Sequence, residues 1–356
     1  MKLSTVIQRI PTWYKSGRCY YIRSAPGRGK TTVFCEAPKI LEKQFPGKSF
    51  GLVVISGPLL TPSDSVGYLV PKHLETHSES VYTDPFWFRT EEGKRLDQYD
   101  GGIIVVDEAD KMDTDVKKVI GEAALSGRLG PHRLPKGWVV WMAGNRQKDR
   151  SGSTKELDHL INRRCELDID DDVEGWTNWA IENGVSPIAI SFANHYTHIV
   201  FSQDPPKEQG SWCTPRSFVM ADQYLQGLAG GSGEVPCDPT TTEEISGMIG
   251  AGAAAQLMAH VKLDQEMPKY EKIIADPEKA KVPTKPDAQM LVCYNLAHRV
   301  DKDTVSKVVK YIERLPKEFS VTFANAACKR DPHLVSTPAI QKWCSENASL
   351  MAQLAR

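Results

Sequence analysis

The stretch SAPGRGKTT, which begins at Ser24, combines glycines, a lysine and hydroxyl groups at a spacing suited to binding phosphate. Gly27 and Gly29 permit a tight backbone whose N–H groups can converge on phosphate oxygens. Lys30 supplies a cation for those oxygens, and the Thr31 hydroxyl supplies a ligand for Mg²⁺. The usual pattern begins with glycine, and Ser24 stands at that position here. The residues predicted to contact the phosphate chain are Ala25, Pro26, Gly27, Arg28, Gly29, Lys30, Thr31 and Thr32.

Two acidic residues follow the aliphatic run IIVV and predict a second part of the same site. A buried parallel strand that ends in Asp107 and Glu108 presents both carboxylates at the sheet edge where ligands bind. Asp107 would lie at the nucleotide and hold Mg²⁺ through water, and Glu108 would orient and deprotonate an attacking water. The alternative is a solvated acidic turn, because Asp110 and Asp113 follow directly. The upstream phosphate loop favours the catalytic interpretation.

The amide of Asn145 completes the predicted set, because this residue follows the apolar run GWVVWMAG. A neutral amide at the end of the strand beside the acid-bearing strand can hydrogen-bond both a γ-phosphate and the lytic water. The alternative is an ordinary turn-forming asparagine. Three functional groups at the carboxyl ends of three strands together predict binding and hydrolysis of ATP with Mg²⁺.

The phosphate loop, the two acids and Asn145 can meet only if their strands lie side by side in a parallel sheet. The first half of the chain has the pattern of such a sheet, because apolar runs alternate with helical stretches. The runs GLVVIS, GIIVVD and GWVVWMAG are almost continuously apolar, as in strands buried on both faces. Strands are predicted at Cys19–Ser24, Phe50–Ser56, Gly102–Val106, Gly137–Ala143 and Cys165–Ile169. Helices are predicted at Thr31–Gln44, Glu91–Tyr99, Thr114–Leu125 and Glu156–Arg163. The alternation is typical of a doubly wound α/β unit.

From about Asp171 onward the spacing of apolar residues becomes helical, and no convincing strand run follows. Helices are predicted at Glu174–Asn183, Ile188–Phe201, Arg216–Leu225, Thr242–Val261, Ala288–Ala297, Asp303–Leu315 and Pro338–Leu354. Proline and glycine cluster around residues 204–210, 228–239 and 276–286, which are expected to be loops or linkers. The second half is therefore predicted to be mostly helical.

The composition of the 356 residues excludes several classes of protein. It is too ordinary for a disordered, collagen-like or coiled-coil chain. The eight cysteines show no CxxC spacing, which argues against metal ribbons and redox pairs. We find neither a membrane-spanning run nor a secretory signal, so a soluble cytoplasmic protein is expected. The net charge of −1 conceals an asymmetry, since residues 1–170 hold 26 basic and 22 acidic groups and residues 171–356 hold 18 and 23.

With these motifs in place, the sequence resembles the AAA+ ATPases and, among them, the MoxR-like group, from the phosphate loop to about residue 225. Thr61–Gly67 (TPSDSVG) is similar to the segment that opens the group's helix-2 insert. Glu122–Gly137 is similar to the helix and pre-sensor hairpin that precede sensor 1. Gly144–Arg146, with Asp149 and Arg150, resembles the sensor-1 segment itself. The acids are followed by Ala-Asp-Lys where the group commonly has another pattern, which leaves the subgroup open.

The resemblance also implies roles for three arginines. The segment LINRRC, which ends at Cys165, resembles the one that carries an arginine finger, with Arg164 as the better match and Arg163 in reserve. A finger acts on the nucleotide of a neighbouring subunit, so it predicts a homo-oligomeric, hexameric ring. The alternative is that both arginines stabilise the carboxyl end of a helix. Cys213–Ser217 (CTPRS) resembles sensor 2, in which Arg216 would reach the nucleotide from the lid, although it also suits a plain helix start.

By resemblance, the fold is a P-loop NTPase (AAA+) α/β unit over residues 1–170. An all-helical lid and a helical carboxyl-terminal extension follow over residues 171–356. MoxR-like proteins typically act as chaperone-like factors, often with a von Willebrand factor A-domain partner, and some are encoded by bacteriophages. The resemblance therefore implies a ring that remodels a protein client in a bacterial or infected-host cytoplasm, with no membrane partner. Residues 233–356 match nothing known to us.

The alternative function is an ATP-driven nucleic-acid motor or helicase loader acting on DNA. It is motivated by the basic excess in residues 1–50 and by Arg128, His132, Arg133 and Lys136 on the predicted hairpin. Aromatic residues that could stack on bases are sparse there, so a protein client is favoured over nucleic acid. A nucleotide-dependent scaffold without turnover is disfavoured, because a base, a sensor and a finger are all present.

Overall fold

The computed structural model describes residues 1–146, 161–201, 205–206, 209–230 and 234–348. The chain divides into two compact units, Met1–Asp172 and Val173–Arg356. In these described ranges, no helix is both long enough and apolar enough to cross a membrane.

A five-stranded parallel sheet forms the centre of the first unit. In chain order the strands of this unit are β1 (Tyr20–Arg23), β2 (Phe50–Ser56), β3 (Leu69–His73), β4 (Ser78–Tyr82), β5 (Gly101–Asp107), β6 (Arg128–Leu129), β7 (His132–Arg133), β8 (Trp138–Gly144) and β9 (Cys165–Asp168). The central sheet has the order β2-β5-β8-β1-β9, and every neighbouring pair is parallel. All five strands predicted for it are present within a residue or so of their expected ends. The predicted α/β class is confirmed.

Helices cover both faces of this sheet. The helices of the first unit are α1 (Leu3–Ser16), α2 (Lys30–Cys35), α3 (Ala37–Gln44), α4 (Pro62–Val66) and α5 (Thr114–Ser126). Alternate residues of β5 face opposite ways: Ile103 and Val105 belong to the core shared with α1, α2 and α3, whereas Ile104 and Val106 belong to the core shared with α5. Each of these four residues is at most 1% exposed. The continuous run IIVV therefore reflects burial on two faces.

Two helix predictions in the first unit need correction. The helix expected over residues 31–44 is interrupted at Glu36, because Pro38 lacks the N–H that a continuous helix would require. The helix expected over residues 91–99 is wrong: Gly93 turns the chain at φ +80°, and only Leu96–Gln98 form a short 3₁₀ helix. The predicted helix Glu156–Arg163 falls mostly outside the described residues. Helix α1 was not predicted.

Two small hairpins stand apart from the central sheet. Strands β3 and β4 pair antiparallel and follow α4, whose amino end is capped reciprocally by Thr61 and Asp64. Nearly every residue of this hairpin is exposed. Strands β6 and β7 form the second hairpin directly after α5, where the resemblance implies a pre-sensor hairpin.

The second unit is helical in the residues described. Its helices are α6 (Val173–Glu182), α7 (Pro187–His195), α8 (Thr197–Val200), α9 (Pro215–Ala229), α10 (Pro239–Ile249), α11 (Ala251–Gln265), α12 (Tyr270–Ala275), α13 (Pro286–Arg299), α14 (Val305–Ile312), α15 (Lys317–Arg330) and α16 (Pro338–Glu346). One buried apolar cluster runs from α6 to α16 and includes Phe192, Phe218, Leu257, Tyr311 and Trp343. The predicted all-helical character of this half is confirmed.

The helix boundaries in this unit differ from expectation at two breaks. The helix expected over residues 242–261 is divided at Gly250, which adopts φ +83° and packs so closely on Ser211 that a side chain would meet its carbonyl. The helix expected over residues 188–201 is divided at Tyr196. The sequence patterns also failed to indicate α12 and α15.

Candidate functional site

The phosphate loop lies between β1 and α2, as its sequence predicts. Gly27 and Gly29 adopt φ +72° and +82°, which residues with a Cβ rarely do. Gly29 forms the amino end of α2, and Thr31 lies partly buried in the first helical turn. These two glycine conformations suit a tight loop of the kind that binds phosphate through its backbone.

Lys30 is buried and points back under the loop. Its Nζ donates to the carbonyl and hydroxyl oxygens of Ser24, each at 3.1 Å, and to the Ala25 carbonyl at 3.0 Å. It also donates to Asn145 Oδ1 at 3.0 Å. The structure therefore brings together two predicted site residues that are 115 positions apart in sequence.

Asp107 is the last residue of β5, which lies between β2 and β8, and Glu108 follows it directly. The Glu108 backbone N–H donates to Asp107 Oδ1 at 2.9 Å. Among the described residues, Glu108 is the one non-glycine with positive φ, at +50°. A glutamate rarely adopts this conformation, so it marks a local constraint directly after the strand. Lys111 Nζ donates to Glu108 Oε1 at 2.7 Å, a contact that sequence reasoning did not anticipate.

Asn145 follows β8 and is 9% exposed. Its backbone N–H donates to Asp110 Oδ1 at 2.9 Å, and Asp110 is itself 3% exposed. The alternative of a solvated acidic turn therefore fails for Asp110, which fixes the backbone of the predicted sensor. Asp113 instead caps α5 by accepting the Asp115 N–H. The sequence signal for Asp110 was only its position two residues after Glu108.

Arg28, in the phosphate loop, lies with its Nε 3.0 Å from Asp171 Oδ1. Burial raises the pKa of Asp171, and the nearby charges of Arg28 and Arg146 oppose that shift. This pair connects the loop to the last residues of the first unit. Nothing in the sequence indicated it, because the partners lie far apart along the chain.

The two candidate finger arginines occupy different environments. Arg164 donates from Nε and Nη2 to Glu166 Oε1 at 2.8 and 2.6 Å, and its guanidinium lies 4.4 Å from the centre of the Tyr21 ring. Its side chain is only 5% exposed. Arg163 is exposed. These contacts hold Arg164 within its own chain, and which of the two arginines acts as a finger stays a prediction.

Arg216 belongs to the second unit, where it is exposed near the amino end of α9. Thr214 caps this helix through a reciprocal contact with Ser217. The local helix start agrees with the predicted motif, and a contact of Arg216 with nucleotide stays a prediction. Asp149 and Arg150, which the resemblance assigns to the sensor-1 segment, lie outside the described residues.

The residues present fit a magnesium nucleotide. The Thr31 hydroxyl and the Asp107 carboxylate offer two oxygen ligands, and Mg²⁺ usually keeps several waters beside one or two protein ligands. No cluster of three or more His, Cys, Asp or Glu side chains suited to a metal occurs in the described part of the chain. The glycine conformations and the buried lysine suit phosphate.

No protein-family model and no curated protein matches this chain. Solved structures give distant likenesses. The Holliday junction branch migration motor RuvB of Thermotoga maritima shares 14% identity over 78% of this chain and 75% of its own, with a TM-score of 0.37. NtrX of Brucella abortus in complex with ADP shares 14% identity over 99% of this chain and 67% of its own, with a TM-score of 0.38.

These TM-scores are too low to support any argument about activity. The fold is instead defined by the chain's own topology: a parallel sheet, a phosphate loop after its fourth strand in spatial order, and a helical unit that follows in sequence. This is the α/β architecture with a phosphate loop and a following helical unit that the sequence predicts.

Proposed function

We propose that the protein is an Mg²⁺-dependent ATPase that works as a homo-oligomeric ring. The observation that carries the proposal is the contact between Lys30 Nζ and Asn145 Oδ1 at the carboxyl edge of the sheet. Asp107 ends β5 and Glu108 follows it; because β5 pairs directly with β8, both acids lie at the same edge of the sheet as Asn145. A buried lysine, two acids and an amide at one edge suit phosphoryl transfer to water.

Each of these residues has a distinct task in the proposed reaction. The loop backbone and Lys30 bind the phosphates, and Thr31 and Asp107 would hold Mg²⁺. When bound, the metal neutralises charge that develops on the phosphate oxygens. Glu108 accepts a proton from the attacking water, and the Asn145 amide orients that water against the phosphate. Glu108 forms an ion pair with Lys111, and this ion pair has to break before Glu108 can contact the attacking water.

For the arginine finger, which would contact the nucleotide of a neighbouring subunit, we favour Arg163. Arg164 is already engaged with Glu166 and Tyr21. The exposed guanidinium of Arg163 can reach a neighbouring copy without breaking a buried contact. In this proposal Arg164 holds β9 beside β1, and Arg216 senses the nucleotide from the lid.

The favoured client of the ring is a protein, as the resemblance to MoxR-like chaperones implies. The β3–β4 hairpin supports this preference by exposing apolar side chains: Tyr68 is 60% exposed and Leu69 is 56% exposed. Between these residues and Tyr82 the chain has one lysine, Lys72, two histidines and two glutamates. Such a surface suits apolar polypeptide segments better than a phosphate backbone. A von Willebrand factor A-domain partner remains part of the proposal.

A nucleic-acid motor is the second candidate. Arg128 and Arg133 are exposed on the β6–β7 hairpin, which favours it. His132 does not add to this surface, because its Nε2 lies 3.1 Å from the Val66 carbonyl and its ring packs on Phe88. ATPase rates with a denatured protein, single-stranded DNA, duplex DNA and RNA, each at two salt concentrations, decide between the candidates. Stimulation by nucleic acid that falls with salt would reverse our preference.

The ATPase assignment has a direct test. Lys30→Ala should abolish ATP binding in calorimetry, whereas Lys39→Ala, which changes an exposed lysine on α3, should leave it intact. Glu108→Gln should bind ATP but hydrolyse it about 10²–10⁴-fold more slowly, since it removes only the base. Unchanged affinity in Lys30→Ala, or a wild-type rate in Glu108→Gln, would contradict the assignment.

A further inference from the structure

The helical unit contains a cavity of about 280 Å³ that none of the ATPase motifs explains. Its walls come from the carboxyl end of α11, from α12 with the segment before it, and from α13. The apolar part of its surface includes Val261, Ile273, Val292 and Leu296. This volume lies just below the range of ordinary small-molecule sites, so it suits a small ligand or a single side chain.

Two acidic residues line this cavity, Asp264 from α11 and Glu234 from the segment before α10. Asp264 Oδ1 accepts a hydrogen bond from Asn295 Nδ2 at 2.5 Å, and its other oxygen has no hydrogen-bond partner among the described residues. Burial raises the pKa of Asp264, and the Asn295 contact only partly opposes this shift. Solvent reaches the open oxygen, because it is not among the buried side-chain atoms that lack a partner, and a donor from a ligand can replace water there.

The basic residues at the rim are already engaged. Lys269 Nζ lies 3.4 Å from Glu234 Oε1. Arg299 forms an ion pair with Glu271, and its guanidinium lies 4.6 Å from the centre of the Tyr270 ring. The charge presented to a ligand inside the cavity is therefore the carboxylate of Asp264, which favours a cation over an anion.

We infer that this cavity binds a primary amine on a short aliphatic chain, with the ammonium on Asp264 and Asn295 and the chain against Val261, Ile273 and Val292. An ammonium has three donors, which suits the open carboxylate oxygen and the Asn295 amide oxygen together. The aliphatic wall accommodates the carbon chain. A free alkylamine and a lysine side chain of a polypeptide share this chemistry. The inference does not depend on ATP hydrolysis.

The test uses the full chain and n-butylamine as the probe, with binding followed by ligand-observed NMR at constant pH and salt. n-Butanol is the uncharged control ligand. Asp264→Asn removes the charge and keeps the shape, and Glu266→Gln is the matched control on an exposed acid two residues away. Asp264→Asn should fold at least as stably as the wild type, because it removes a desolvated carboxylate.

We expect butylamine to bind the wild type and Glu266→Gln equally, and Asp264→Asn about tenfold or more weakly, as expected for loss of a charge-assisted hydrogen bond. Equal binding by Asp264→Asn, equal binding of butanol and butylamine to the wild type, or no binding of butylamine would each overturn the inference. The butanol comparison needs no variant. Once butylamine binds, the peptide acetyl-Ala-Lys-Ala-amide is added as a competitor. If the peptide displaces butylamine, the site accepts polypeptide lysines; if it does not, the site accepts free amines.

Discussion

Arg163 and Arg164 are adjacent in sequence but differ in what an arginine finger requires, which is a guanidinium that can reach a neighbouring subunit. Arg164 makes two hydrogen bonds to Glu166 and stacks on Tyr21. Breaking such a contact between largely buried groups costs roughly 1–3 kcal/mol, whereas an exposed arginine can move without that cost. In the proposed ring, Arg164 therefore has a structural task and Arg163 a catalytic one.

Substitution of each arginine should distinguish these tasks. Arg163→Ala should fold normally and lose ATPase activity by about 10³-fold or more. Mixing it with Glu108→Gln subunits should restore part of the activity, because some interfaces then combine an intact glutamate with an intact arginine. Arg164→Ala should instead lower the thermal unfolding midpoint. If Arg164→Ala is as stable as the wild type and inactive while Arg163→Ala is active, the roles are exchanged.

At the scale of the elements, Gly51 of β2 and Gly102 of β5 lie against the indole ring of Trp138, with no room for a side chain. A Cβ added at Gly102 would lie 2.5 Å from the Gly51 carbonyl oxygen and 2.6 Å from the Trp138 ring. Trp138 is fixed in turn, because its Nε1 donates to the Leu96 carbonyl at 2.9 Å. The glycines thus set the spacing of the strand that ends in Asp107.

Gly102→Ala should therefore force β5 away from β2. We expect the free energy of unfolding to fall by roughly 1–3 kcal/mol, as for other overpacked sites, measured by urea denaturation. Gly227→Ala, at an open helical position, is the control and should be neutral or slightly stabilising. An unchanged midpoint for Gly102→Ala would show that the strands can separate without cost.

At the scale of the whole molecule, each unit has its own buried core, and the helical core contains a titratable group. His260 is 3% exposed, and its Nε2 lies 2.6 Å from Ser191 Oγ. Burial lowers the pKa of His260 to about 4; His195 acts in the same direction and Asp287 opposes it. The histidine is therefore neutral in the folded chain over a range where it would be charged when unfolded.

The stability of the helical unit should consequently depend on pH. Because the folded pKa is below the unfolded value of about 6.5, stability is complete above that value. It should decrease by up to about 3 kcal/mol as the pH falls towards about 4. His260→Gln keeps an acceptor for Ser191 but does not titrate, so its unfolding curves should lose less stability over this range. Parallel losses in the two proteins would contradict the assigned pKa.

The sequence by itself determined the sheet and the local motifs, because these depend on short-range patterns. A run such as IIVV, preceded by glycines and followed by acids, favours a strand buried on both faces, and the glycines before Lys30 favour a phosphate loop. The same patterns placed Asn145 and Glu108 at strand ends. They were less reliable for helix boundaries, where single residues such as Pro38 and Gly250 interrupt a favourable pattern.

Only the tertiary structure decided which of these residues meet and which are engaged elsewhere. The contact between Lys30 and Asn145, the burial of Asp110 and the pairing of Arg164 all join positions whose proximity depends on strand order and register. The cavity around Asp264 is of the same kind, since three helices have to pack before its carboxylate loses water. Composition and spacing indicate what a side chain can do, but its contacts and its exposure to solvent depend on the packing of distant segments.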